Sequence, residues 1–276
     1  MSLGIAFKGP EGIVLAADSR VTLTAQIPGQ SLRIPVTYDN ATKLLKVESQ
    51  NCVGAVTYGL GALGQREFRT AHSYVPEFEE ELAKRNINHL SAKRLSVGDF
   101  AQTLSDFFMR QWASSMPQDY QGPEMIFLVA GYDPGAPYGR VFEIGIPGRP
   151  SPKEWHANAF GAIWGGQREF TDRLIQGFDP GLPLVMQQAL KLSDEQRDEL
   201  ENELRQKLGT RIPFDFLPLQ DCVDLSIFLI QATRAMQTWQ VGLRGVGGAI
   251  DVATITRTDG FTVIQQKKIH GEASSA

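Results

Sequence analysis

The sequence predicts an antiparallel α+β layered fold. A strand pair begins almost at residue 1, two consecutive helical stretches follow four strands, and strands then return in blocks rather than in alternation with helices. A doubly wound parallel sheet would need strict alternation. With 276 residues, 42% of them hydrophobic, the chain can bury a substantial core. It reads as a single domain over 1–276 with a helical insertion at about 182–218.

Leu3, Ile5 and Phe7 alternate with smaller or polar residues, Gly9-Pro10-Glu11-Gly12 turns the chain, and Ile13 to Ala17 forms the second strand. Pro28, Gly29 and Pro35 mark Gln26 to Thr37 as a loop, after which Leu44–Glu48 and Cys52–Tyr58 read as two short strands. The apolar spacing becomes helical from Leu63 to about Asn86. A second helix spans Val97 to Ala113, with Phe100, Leu104, Phe107, Phe108 and Trp112 on one face. Met125–Ala130 and Arg140–Ile146 pair as strands across a Pro/Gly turn.

Ser193-Asp194-Glu195-Gln196 is a capping box, and Gly209 sits where that helix stops. Its stripe of Leu200, Leu204 and Leu208 is narrow, which suits either a helix lying on its own domain or a contact with another subunit. Leu225, Phe228, Leu229, Ala232, Ala235, Met236 and Trp239 follow helical spacing, and Ala249–Thr256 and Phe261–Gln266 close the chain as a hairpin around Asp259-Gly260.

Lys and Arg number 27 against 31 Asp and Glu, a net charge of −4 without the basic excess that phosphate backbones demand, so nucleic acid is not an expected partner. Cys52 and Cys222 lie in apolar stretches and read as buried thiols in a reducing compartment. No basic leader precedes an apolar run, and no window reaches the ~18 apolar residues of a membrane span. The expectation is a soluble cytoplasmic protein with no membrane partner.

His72, His89, His156 and His270 are scattered at no metal-ligand spacing, and no GxSxG elbow occurs. Neither a metal site nor a Ser/His/Asp triad is expected, and no cofactor is called for. Gly59-Leu60-Gly61-Ala62-Leu63-Gly64 fits the dinucleotide fingerprint, with Glu79 or Glu80 about 20 residues on. Those acids fall inside a helical stretch, not at the end of a second parallel strand, so a dinucleotide-binding protein is the weaker reading. The glycines read instead as a tight strand-to-helix turn whose amides can stabilise an oxyanion.

Ser2 offers a nucleophile that needs no histidine. Removal of Met1, usual ahead of a small residue, leaves a hydroxyl and a free α-amine on one residue. The amine, with a pKa near ~8, can take the hydroxyl proton. Ile13-Val14-Leu15-Ala16-Ala17-Asp18-Ser19-Arg20 is then an apolar strand ending abruptly in an acid and a base.

Ser2 through Thr22 resembles the opening of proteasome β-type subunits, members of the N-terminal nucleophile hydrolases. The resemblance implies an αββα sandwich of two antiparallel sheets flanked by helices, and places Ser2 at the catalytic threonine. Thr42-Lys43-Leu44-Leu45-Lys46-Val47 is similar to the segment that supplies the family's catalytic lysine, here Lys43, with Asp18 holding it charged and oriented. By the same resemblance Gly59, or Tyr58 beside it, supplies the oxyanion-stabilising amide, and Thr22 binds the substrate backbone.

The family resemblance also implies hydrolysis of peptide or unfolded-protein substrates in a homo-oligomeric ring or helical assembly, with an unfoldase or regulator as partner. Two features depart from the pattern. Gly161–Gly166 lacks the family's serine, and Leu243 and Val246 stand where it has a late aspartate and serine. A subunit that keeps the fold without cleaving anything is therefore the alternative.

Overall fold

The computed structural model describes residues 2–26, 33–65, 67–86 and 94–268. In chain order the elements are β1 (Leu3–Lys8), β2 (Ile13–Asp18), β3 (Val21–Gln26), β4 (Arg33–Tyr38), β5 (Leu44–Lys46), β6 (Val53–Gly59), α1 (Val75–Asn86), α2 (Val97–Ser115), β7 (Met125–Gly131), β8 (Arg140–Ile146), β9 (Arg149–Trp155) and β10 (Gly161–Gly166). They continue as α3 (Glu169–Gln176), α4 (Leu182–Leu190), α5 (Asp194–Leu208), α6 (Leu219–Trp239), β11 (Ile250–Thr256) and β12 (Gly260–Gln265). One sheet runs β10-β1-β2-β11-β12 and the other β5-β6-β7-β8-β9, while β3 and β4 form a separate ribbon.

Three apolar layers make this an α+β sandwich of helix, sheet, sheet and helix. Phe78 of α1 and Phe100, Leu104 and Phe108 of α2 pack on Phe127 and Val129 of one sheet. Ala6, Ile13 and Leu15 meet Val56, Leu128 and Ala130 between the sheets. Leu3, Ile5, Val14 and Val252 face Val223, Leu229 and Ile230 of α6. Strand alternation explains the partition, since neighbours along β1 point to opposite faces and both faces are covered. No helix among the described residues is long and apolar enough to cross a membrane.

Two readings of the sequence need correction, and two strands went unread. The predicted loop over 26–37 is strand from Arg33 onward, and its residues 27–32 lie outside the described residues. Pro35 is tolerated because it pairs with Thr24 in a two-stranded ribbon, where every strand is an edge. The helix expected from Leu63 begins only at Val75. Gly64, at φ +119°, turns the chain first, and a side chain there would meet the Glu67 carbonyl oxygen at 2.0 Å.

The segment Gly161–Gly166 is an edge strand, and β9 went unread because Pro150 and Pro152 interrupt its pattern at the other sheet's edge. The expected capping box is present, with Ser193 accepting from the Gln196 amide at 3.3 Å. None of the α5 side chains is fully buried; the helix lies against α4 and α3, with Leu208 51% exposed.

Candidate active site

The β1–β2 hairpin pairs Gly4 with Ala17, so Leu3 and Asp18 meet at its open end. Asp18 is buried and saturated with donors. Its Oδ1 accepts from the Leu3 amide at 3.0 Å and from Lys43 Nζ at 2.7 Å. Its Oδ2 accepts from the amides of Arg20 at 3.1 Å and Gly247 at 3.0 Å. A buried carboxylate is tolerated only with such compensation.

Lys43 stands immediately before β5, its carbonyl accepting from the Thr57 amide. Burial pushes its pKa below the ordinary lysine value, and the Asp18 charge and hydrogen bond oppose that without cancelling it. The result is a dry ammonium more ready to lose its proton than a surface lysine.

Ser2 and Lys43 line one small cavity of about 10 Å³, room for a single water. Ser2 is 2% exposed; its Oγ donates weakly to the Arg20 carbonyl at 3.5 Å, and its own carbonyl accepts from the Gln167 amide at 2.7 Å. Tyr58 forms another wall. Its ring fills the space above Gly4 and Gly165, where added Cβ atoms would meet it at 2.7 and 2.2 Å. Burial raises its pKa. Tyr58 also lines a pocket of about 460 Å³ at the β10 edge, separating it from the Ser2 cavity.

The sequence-derived residues Ser2, Asp18, Lys43 and Tyr58 are thus brought together. Gly59 ends β6 opposite Met125, at φ +85°, with the Glu124 carbonyl packed where a side chain would be. The cavity wall there is formed by Tyr58, Leu60 and Gly61 instead. In the sequence Gly61 stood only as one member of the glycine run; a Cβ on it would lie 2.2 Å from Val21 Cγ2, so only glycine lets this wall close on β3. Thr22 is also one residue off the wall, its neighbour Val21 lining the cavity. Its Oγ1 is buried without a hydrogen-bond partner among the described residues.

A glutamine clasp went unread. Gln237 Nε2 donates to Gln167 Oε1 at 3.2 Å, and Gln237 Oε1 accepts from the Val246 amide at 2.9 Å. It therefore links the segment holding the Ser2 carbonyl to the segment whose Gly247 holds Asp18. Gln237 falls on the face of α6 that carries Ile230 and Thr233, and a polar residue in such a core position was the available signal. Val246 occupies a buried position, while Leu243 is 53% exposed.

Among the described residues, no group of three His, Cys, Asp or Glu side chains is placed to hold a metal ion. The described strand pairs are all antiparallel, so the Gly59–Gly64 run has no parallel βαβ unit in which to cradle a dinucleotide. No protein-family model matches the chain, and no curated protein matches it.

Proposed function

We propose that the chain is a peptidase of the proteasome β type, acting through Ser2 as an N-terminal nucleophile after loss of Met1. One observation carries the reading: Asp18 Oδ1 joins Lys43 to the Leu3 amide, and so holds an ammonium at the wall of the cavity that Ser2 also lines. Met1 lies outside the described residues.

In this reading the neutral α-amine of Ser2 takes the Oγ proton as Oγ bonds to the peptide carbonyl carbon. The Lys43 charge favours the anionic nucleophile and the unprotonated amine. The carbonyl electrons move onto oxygen, stabilised by a backbone amide of the Tyr58–Gly61 stretch. The amine then protonates the leaving nitrogen, the C–N bond breaks, and water hydrolyses the ester. Peptide or unfolded-protein substrates, a cytoplasmic homo-oligomeric assembly and an unfoldase or regulator belong to the same proposal.

The test combines intact mass of protein from its native host with labelling by a hydroxyl-directed covalent probe. Loss of Met1 and labelling abolished by Ser2→Ala are expected; a retained Met1, or labelling that survives Ser2→Ala, overturns the reading. The second reading, a non-catalytic subunit, draws on the burial of Ser2, 2% exposed, and on Leu243 and Val246. Protein lacking Met1 that takes no probe would establish it.

A further inference from the structure

A second cleft, of about 520 Å³, opens on the far side of the segment that holds Asp18. Among the described residues, Arg20, Arg234 and Arg244 line it, with Asp39 as the one acidic residue. Arg20 spends its charge on Asp39 in a two-pronged pair, Nε to Oδ1 at 2.5 Å and Nη2 to Oδ2 at 2.8 Å. Arg234 and Arg244 have no ion-pair partner among the described residues. Each is held by a backbone carbonyl, Arg234 Nη1 by that of Gly248 at 2.9 Å and Arg244 Nη2 by that of Thr238 at 3.0 Å.

The cleft therefore carries two uncompensated positive charges on aimed side chains. Both arginines sit near the C-terminus of α6, whose macrodipole offsets about half a charge. Roughly one and a half charges remain after that offset. Planar guanidinium groups with spare N–H donors match tetrahedral oxyanions, and the carbonyl bonds that already hold one nitrogen of each reduce the ordering cost of binding.

We propose that this cleft binds a phosphate group, either as inorganic phosphate or as a small phosphomonoester, between Arg234 and Arg244. The bound group would draw both arginines toward Gly247 and Gly248, the loop whose amide holds Asp18. The site is independent of the peptidase reading, because its readout is binding.

Isothermal titration and thermal melting with inorganic phosphate, glycerol phosphate and acetate, at constant ionic strength and low millimolar concentration, test it. Saturable binding of phosphate or the monoester, but not of acetate, is expected, and the tighter of the two identifies the source. Arg234→Gln/Arg244→Gln removes charge-assisted hydrogen bonds and should weaken binding at least about tenfold. Arg197→Gln/Arg205→Gln, on exposed α5, makes the same change in net charge and should leave binding intact. Absence of saturation, equal binding of acetate, or equal loss in both double variants overturns the site and leaves the arginines only as anchors of the Gly248 and Thr238 carbonyls.

Discussion

Gly166 and Ser2 are in direct backbone contact: a Cβ on Gly166 would stand 1.9 Å from the Ser2 carbonyl oxygen. Gly166 holds φ +94°, and this lets the next amide, of Gln167, reach the same oxygen at 2.7 Å. The end of β10 is thus what fixes the start of β1.

Gly166→Ala should therefore displace Ser2 even though residue 166 offers no chemistry. The clash and the left-handed conformation together should cost about 1–3 kcal/mol. Chemical denaturation reports that loss, and the probe-labelling rate should fall much further than the lost folded fraction explains. Labelling at the wild-type rate would show that Ser2 placement does not depend on β10.

How far the sequence discloses this site depends on the range of each interaction. Asp18 was legible because a charge at the end of an apolar strand leaves a local mark, as in Ile13–Asp18, whereas Lys43 was picked out only through the resemblance of Thr42–Val47 to a known family segment. The layered architecture was legible too, since blocks of period 2 and period 3.6 survive in single segments. Gln237 and Gly166 act on residues far away in the chain, Gln237 on Val246 and Gln167, Gly166 on Ser2, and nothing in their neighbours announces those partners. The prolines of β4 and β9 masked strands because only tertiary placement shows that these are edges.

Asp18→Asn tests the buried pair through stability. Removing one partner of a buried ion pair costs about 3–5 kcal/mol. Burial already places the folded-state pKa of Lys43 below its unfolded value, so the unfolded chain keeps that proton to higher pH. Stability therefore rises with pH between the two values. Without the Asp18 charge the folded pKa drops further, and the deficit should be largest near neutral pH and shrink as pH climbs toward about 10. Urea melts of both proteins across that range check it; a deficit that grows with pH contradicts the assignment.

The rate of Ser2 acylation should trace a bell in pH. Its rising limb belongs to the α-amine, at or below ~8 beside an ammonium, and its falling limb to Lys43, below the ~10.4 of an unperturbed lysine. A labelling-rate profile of the wild type checks both limbs. Flat behaviour above pH 8 would remove Lys43 from the mechanism.

Gln237→Leu should cut the clasp while nearly conserving volume. The Val246 amide loses its acceptor in a buried setting, at a cost of about 1–3 kcal/mol. A purely structural role would leave the labelling rate of folded protein unchanged. A role in aligning Ser2 with Asp18 should lower that rate and be rescued partly by Gln237→Glu, which keeps an acceptor for Val246.

Tyr58→Ala addresses the enclosure of Ser2. The ring separates a cavity of about 10 Å³ from a pocket of about 460 Å³, resting on glycines at 4 and 165 that leave it room. Deleting a buried aromatic side chain costs about 3–5 kcal/mol, because the surrounding sheets collapse only in part. The same deletion should join the two spaces and give small probes a second way to Ser2. The variant is expected to melt lower yet label faster per folded molecule with a compact reagent, and to gain little with a bulky peptide reagent. Tyr58→Phe keeps the wall and should match the wild type in both measurements, so slower labelling by Tyr58→Phe would move the importance of Tyr58 from its ring to its hydroxyl.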